Sequence, residues 1–124
     1  MEGSVTRRLL VRGEIHFEPS APSFHGATAY VRLEDVTLAD APARTVAEQI
    51  LHDVSHGEAA SRPVQFALYG DAPLDERARY SLRVHVSPSG SPELRAGDYV
   101  TMESYPVSAV SLPANVDVVV YRID

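Results

Sequence analysis

Apolar residues recur at every second position in several short runs, and proline or glycine closes most of these runs. Leu9, Val11, Gly13, Ile15 and Phe17 alternate with Arg8, Arg12, Glu14 and His16; Ala27, Ala29, Val31 and Leu33 alternate with Thr28, Tyr30, Arg32 and Glu34. The same period governs Val64, Phe66 and Leu68, and again Tyr80, Leu82, Val84 and Val86. A period of two puts one set of side chains on a buried face and the other in water, which is the signature of half-buried β-strands. Tyr99 to Glu103 is β-prone but short, and Val116 to Ile123 is apolar enough to be buried on much of both faces. The breaks at Pro19 to Ser23, Gly70-Asp71 and Pro88 to Pro92 supply turns, and Gly57 to Pro63 and Pro88 to Gly97 read as exposed loops. Six or seven short strands with at most one helix point to an antiparallel sandwich or small barrel, and the expected fold is all-β, an antiparallel β-sandwich of about seven strands.

Two segments read less simply. Asp35 to Pro42 is predicted to cross an edge of the fold with Val36 and Leu38 tucked inward. In Ala43 to Val54, the apolar positions Val46, Ile50, Leu51 and Val54 have helical spacing, and Pro42 suits a first helical turn. Read at period two, Val46 and Ile50 share a face with Glu48 between them. Local spacing alone favours the helix.

With 124 residues, the chain fits one domain, and 44% hydrophobic content supports a folded core. Its eleven basic residues are all arginine and face seventeen carboxylates, giving a net charge of -6. The longest basic run is Arg7-Arg8, so nucleic acid is not an expected partner. The absence of lysine removes Schiff-base chemistry, and the absence of cysteine removes thiol catalysis, thiolate metal sites and disulfides. Met1-Glu2-Gly3-Ser4 opens no export signal, and no 18-residue apolar span occurs, so direct membrane insertion is not expected of the chain as written. The expected placement is cytoplasmic as written, with the periplasm or outer membrane as the alternative if a signal peptide and lipidated cysteine were removed.

The stretch Val31-Arg32-Leu33-Glu34-Asp35-Val36-Thr37-Leu38-Ala39-Asp40-Ala41-Pro42-Ala43 resembles the signature of the YbaY/YscW group of small bacterial lipoproteins, which includes pilot lipoproteins of type III secretion. Val11-Arg12-Gly13-Glu14-Ile15, Ala47-Glu48-Gln49, Pro63 to Leu68, Tyr80 to Val84, Tyr105-Pro106-Val107 and Val116 to Val120 agree in order, so the resemblance covers roughly residues 9 to 122. It implies a compact β-sandwich, which makes Ala43 to Leu51 a strand against the local spacing. It also implies accessory work at the bacterial envelope, where pilot members help place an outer-membrane ring protein. Such members are anchored through an acylated cysteine that this sequence lacks. The family offers no catalytic set to transfer, and Arg32, Glu34, Asp35 and Asp40 are explained as a charged strand end followed by a tight crossing.

The chemical alternatives are few. His52 and His56, with Asp53 and Glu58 nearby, are the histidine pair to test for a metal: on a helix their i, i+4 spacing puts both rings on one face, whereas on a strand entering a turn they need not converge. Ser55-His56 are adjacent, which does not make a triad, and no nucleophile elbow occurs. Asp71, Asp75 and Glu76 surround Pro73 and read as a solvated turn. His16 and His85 fall on the polar faces of their strands, where open water is the default, and His25 has no assigned role. No catalytic, cofactor or metal site is therefore expected, and the alternative function is a metal-dependent or serine hydrolase using His52, His56 and loop carboxylates. The expected function is non-enzymatic protein binding, through an open sheet edge or a surface bearing Tyr30, Tyr69, Tyr99, Tyr105 and Tyr121.

Overall fold

A computed structural model describes residues 6–57 and 63–124. Among these residues there is no helix, and nine strands follow in order: β1 Thr6–Phe17, β2 Phe24–Asp35, β3 Arg44–His56, β4 Val64–Ala72, β5 Tyr80–Ser87, β6 Tyr99–Thr101, β7 Pro106–Val107, β8 Ala114–Asn115 and β9 Val118–Arg122. They join in one sheet in the order β3-β2-β5-β6-β9-β1-β4, with β7 on β5 and β8 on β1. The all-β expectation holds, and the sheet comes nearer to the small barrel than to an antiparallel sandwich. β1 pairs with β4 antiparallel yet runs parallel to both β8 and β9, so the sheet is mixed and curls into a nearly closed barrel. The parallel pairs arise because the chain after β7 returns along β1 in β1's own direction.

The alternating runs bury the side chains that their period predicts. Ala27, Ala29, Val31 and Leu33 are fully enclosed, as are Leu68, Val84, Val86, Val118 and Val120, and Phe66, Tyr80 and Leu82 are buried with them. Val64 is half-buried against the same core. In β1 the period slips. Leu9 faces Tyr69 and Val11 faces Leu68, so Leu10 is an extra residue in the ladder, and Leu10 and Val11 are both buried while Leu9 is only half-buried.

The helix favoured by spacing in Ala43 to Val54 is replaced by β3, as the family resemblance implied. Its register against β2 moves from Leu33↔Ala47 to Glu34↔Thr45, and from Ala29↔Leu51 to Ala27↔Val54. Each step inserts one residue into β3, and Asp53 takes a positive φ of 58° within the second. Two such insertions reset the inward face twice, and Ile50 is exposed while Val46, Leu51 and Val54 pack on the core, so the helical spacing of these apolar residues marks no single buried face. Leu38, expected inside, is instead 67% exposed. The crossing it sits on runs across an end of the barrel without entering it.

The parallel crossing is held tightly. Val116 N–H donates to Arg12 O at 2.9 Å, and a β-carbon on Gly13 would lie 1.8 Å from Val116 O. Only glycine allows the returning chain to lie this close to β1.

β3 and β4 form the two ends of the sheet and lie beside each other without a backbone ladder. Gln49 Oε1 accepts the N–H of Ala67 at 2.8 Å, so a side chain takes the place of a strand carbonyl across the seam. Gly70 permits the approach, since a β-carbon there would lie 3.2 Å from the Ala47 side chain.

Candidate functional site

The histidine pair is not brought together. The insertion at Asp53 puts His52 and His56 on opposite faces of β3, whereas an unbroken strand would carry residues four apart on one face. His52 is exposed, while the His56 ring packs 4.6 Å from Phe17 and 5.9 Å from Phe24 at one end of the barrel. Phe17 and Phe24 also make edge and tilted contacts with Tyr99, each at about 5 Å. Glu58 lies outside the described residues. Ser55 remains only a chain neighbour of His56. Asp75 caps its own turn, its Oδ1 accepting the Arg77 N–H at 2.9 Å, and Asp71, Asp75 and Glu76 are exposed without converging with a histidine.

His85 departs most from the sequence expectation. It is buried, not open to water, and its Nε2 lies 2.7 Å from Oδ2 of buried Asp98. The same Asp98 oxygen accepts the Arg95 N–H at 3.0 Å. Tyr30 stacks on the His85 ring at 5.5 Å and donates its hydroxyl to Gly90 O at 2.9 Å. Together these bonds fasten the 88–98 loop over the outer face of β2 and β5. The loop itself stays largely exposed, as expected.

The five tyrosines do not make one surface. Tyr30 and Tyr99 are buried, and Tyr105 and Tyr121 are half-buried with both hydroxyls donating to the Glu103 carboxylate. The Glu103 bond holds the Tyr121 phenol above the usual tyrosine range, and burial does the same to Tyr99. Tyr69 is exposed on β4, beside the seam. Ile50 is exposed on β3, across that seam, and a shallow cleft of about 300 Å³ runs between Arg7, Glu48, Tyr69 and Asp71.

A larger groove of about 450 Å³ opens where the 36–43 crossing meets the 75–78 turn. Leu38, Ala41, Pro42 and Ala78 give it an apolar lining, and Asp35, Asp75, Arg44 and Arg77 line it with balanced charge. Its walls are braced by Asp35. The Asp35 carboxylate accepts the backbone N–H of Thr37 at 3.0 Å and the Thr37 hydroxyl, and Arg44 lies 3.7 Å away. These bonds, led by the hydroxyl, hold its carboxyl below the usual aspartate range. Thr37 Oγ1 in turn accepts the Arg79 N–H at 2.9 Å, and Val36 N–H donates to Arg79 O at 2.8 Å. A mouth fixed by backbone bonds on both sides suits capture of an apolar side chain, and its volume falls within the ordinary range of binding pockets. Leu38 and its neighbours belong to the stretch that carries the sequence signature, but its outward orientation was not legible there.

The comparisons with known proteins agree with this architecture. The family described as type III secretion system lipoprotein chaperone (YscW) matches residues 6–120. No curated protein matches. Among solved structures, an alternative pilotin from the type II secretion system of Vibrio cholerae shares the fold, with a TM-score of 0.73 at 23% identity over 96% of this chain and 99% of that one. The chain, matched over nearly its whole length, thus belongs to the YscW family of type III secretion system lipoprotein chaperones.

Proposed function

We propose that this chain is a non-enzymatic, chaperone-like module that binds an outer-membrane ring protein of a secretion system. In this reading, the groove lined by Leu38 receives an apolar side chain of that partner. The observation that carries it is the exposed Leu38 over a 450 Å³ apolar groove with braced walls. An exposed leucine beside a pre-formed cavity gains burial only when something docks there. Family membership supports the chaperone-like role and the class of partner.

Co-expression of the full chain with the ring protein, followed by co-purification from detergent-solubilised whole cells, tests the reading. The wild type is expected to bring the ring protein with it, and Leu38→Glu to lose it while keeping the wild-type circular dichroism spectrum. Undiminished co-purification of Leu38→Glu would remove the groove from the proposal, and loss in Ile50→Glu instead would move docking to the seam. The cytoplasmic placement expected from the sequence belongs to the same proposal. Fractionation of untagged chain expressed without the ring protein is expected to recover it in the soluble fraction, and recovery with the outer membrane would overturn that placement while leaving the binding reading intact.

A further inference from the structure

Glu14 and His16 are two residues apart on β1 and so project from the same, outer face. Asp117 immediately precedes β9, which runs parallel to β1 with Ile15 opposite Val118 and His16 opposite Val119. The parallel return therefore brings Asp117 beside Glu14 from more than a hundred residues away in the chain. One donor atom from each of the three side chains lies within 4.8 Å of the others, and His16 Nε2 is 3.5 Å from Glu14 Oε1.

The triad is built into the ladder. The pairing Arg12↔Asn115 passes to Ile15↔Val118, and between these pairs the Glu14 N–H donates to Asp117 Oδ1 at 3.0 Å instead of to a backbone carbonyl. Asp117 is thereby fixed by a main-chain donor, and that bond leaves its second carboxylate oxygen unused. Immobilising this side chain costs a ligand little, because its rotamer freedom is already lost. Arg12, the cation on the same face of β1, is turned to Asn115 Oδ1 at 3.0 Å. Among the described residues, no arginine forms an ion pair with Glu14 or Asp117. Gly13 fixes the separation of the two strands from below, since any side chain there would push Val116 away.

One imidazole nitrogen and two carboxylate oxygens are the ligand set of zinc-class cations, whereas calcium and magnesium favour all-oxygen shells. Around a tetrahedral ion with bonds of about 2.1 Å, ligand atoms sit roughly 3.4 Å apart. Closing the triad to that spacing takes movement on the order of 1 Å, within reach of small χ changes at Glu14 and His16, which are only half-buried. We infer that Glu14, His16 and Asp117 form a binding site for a divalent transition metal of the zinc class, with water as the fourth ligand. Such an ion ties β9 to β1 across their short parallel pairing and stabilises the folded chain by mass action. The site stands apart from the Leu38 groove and does not rest on the function proposed above.

Zinc chloride titrated into the full chain near neutral pH, followed by calorimetry and native mass spectrometry, tests the assignment. One zinc per chain is expected, with an unfolding midpoint that rises on addition of the metal. His16→Ala and Asp117→Asn should each weaken binding by at least about tenfold, since each removes one of three protein ligands. His52→Ala should bind as the wild type does. Absence of stoichiometric binding at micromolar zinc would overturn the proposal. So would full binding in His16→Ala, or loss of binding in His52→Ala in its place. Both histidines are accessible, and circular dichroism of each variant separates loss of a ligand from loss of the fold.

Discussion

His85 Nε2 and Asp98 Oδ2 lie 2.7 Å apart in a place where both side chains are almost fully enclosed, under a loop that this pair and the Tyr30–Gly90 bond help to hold from the strand side. Removing one partner leaves the other buried without a mate, and the penalty is the desolvation of the orphan more than the bond itself. Asp98→Ala is therefore expected to destabilise the chain by about 1–3 kcal/mol, through the stranded His85 ring and the Arg95 N–H that shares the same oxygen. Urea unfolding measures it. A change within a few tenths of a kcal/mol would mean that water reaches His85.

The position of that pair shows where the sequence stopped being informative. Ala27 to Leu33 could be placed from the period alone, because β2 keeps an unbroken antiparallel register with β5 from Thr28 to Asp35 and its faces do not change there. β3 could not: Val46, Ile50, Leu51 and Val54 carry a helical spacing although Ile50 is exposed, and the two register insertions that reset the inward face are set by pairing with β2, which no local window contains. The mixed sheet was hidden for the same reason, since the parallel return of β8 and β9 along β1 is a long-range contact. His85 alternates as a polar-face residue, and only the loop that closes over it makes it buried. The Glu14, His16 and Asp117 grouping spans more than a hundred residues, and no spacing rule connects its parts.

Gly13→Ala tests the closeness of the parallel crossing. The added carbon would meet Val116 O at 1.8 Å and Val116 C at 2.6 Å, both backbone atoms that cannot rotate away. The 114–118 segment has to shift, breaking the Val116–Arg12 bond. The expected cost is roughly 1–3 kcal/mol of overpacking, with folding retained by the remaining strands. Thermal unfolding reads it, and an unchanged midpoint would show that β8 and β9 are not clamped to β1.

Phe66 is buried on β4 and its ring edge comes within 3.2 Å of the same imagined Gly13 carbon, so it packs beneath the crossing. Phe66→Ala removes a large ring from a place that rigid backbone prevents from collapsing. The loss should be about 3–5 kcal/mol, the upper part of the range if the crossing stays put. Equilibrium unfolding of the variant decides it, and a loss below about 1 kcal/mol would mean that Phe66 is not a core residue.

Tyr99 and Asp35 set opposite limbs of the stability profile. Burial raises the Tyr99 phenol above its ordinary value of 10.0, so the folded chain holds it neutral where the unfolded chain lets it ionise. The stabilisation is fully present below pH 10.0 and declines as pH rises through the folded value. Tyr99→Phe keeps the ring and its contacts with Phe17 and Phe24 but removes the ionisable group. Its stability should therefore fall less steeply on the alkaline side than that of the wild type. Some slope remains, because Tyr121 is raised by its bond to Glu103. For Asp35 the sign is reversed: hydrogen bonds from Thr37, helped by Arg44, lower its pKa from 3.8, so its contribution is present above pH 3.8 and is lost as pH falls through the folded value. Thr37→Val deletes the hydroxyl that is the largest cause. The gap in unfolding midpoint between wild type and Thr37→Val should narrow as the pH falls from about 5 through the lowered folded value, below which the carboxylate is protonated in both states. A gap that stays constant across that window would show that Thr37 acts through packing and not through the Asp35 charge.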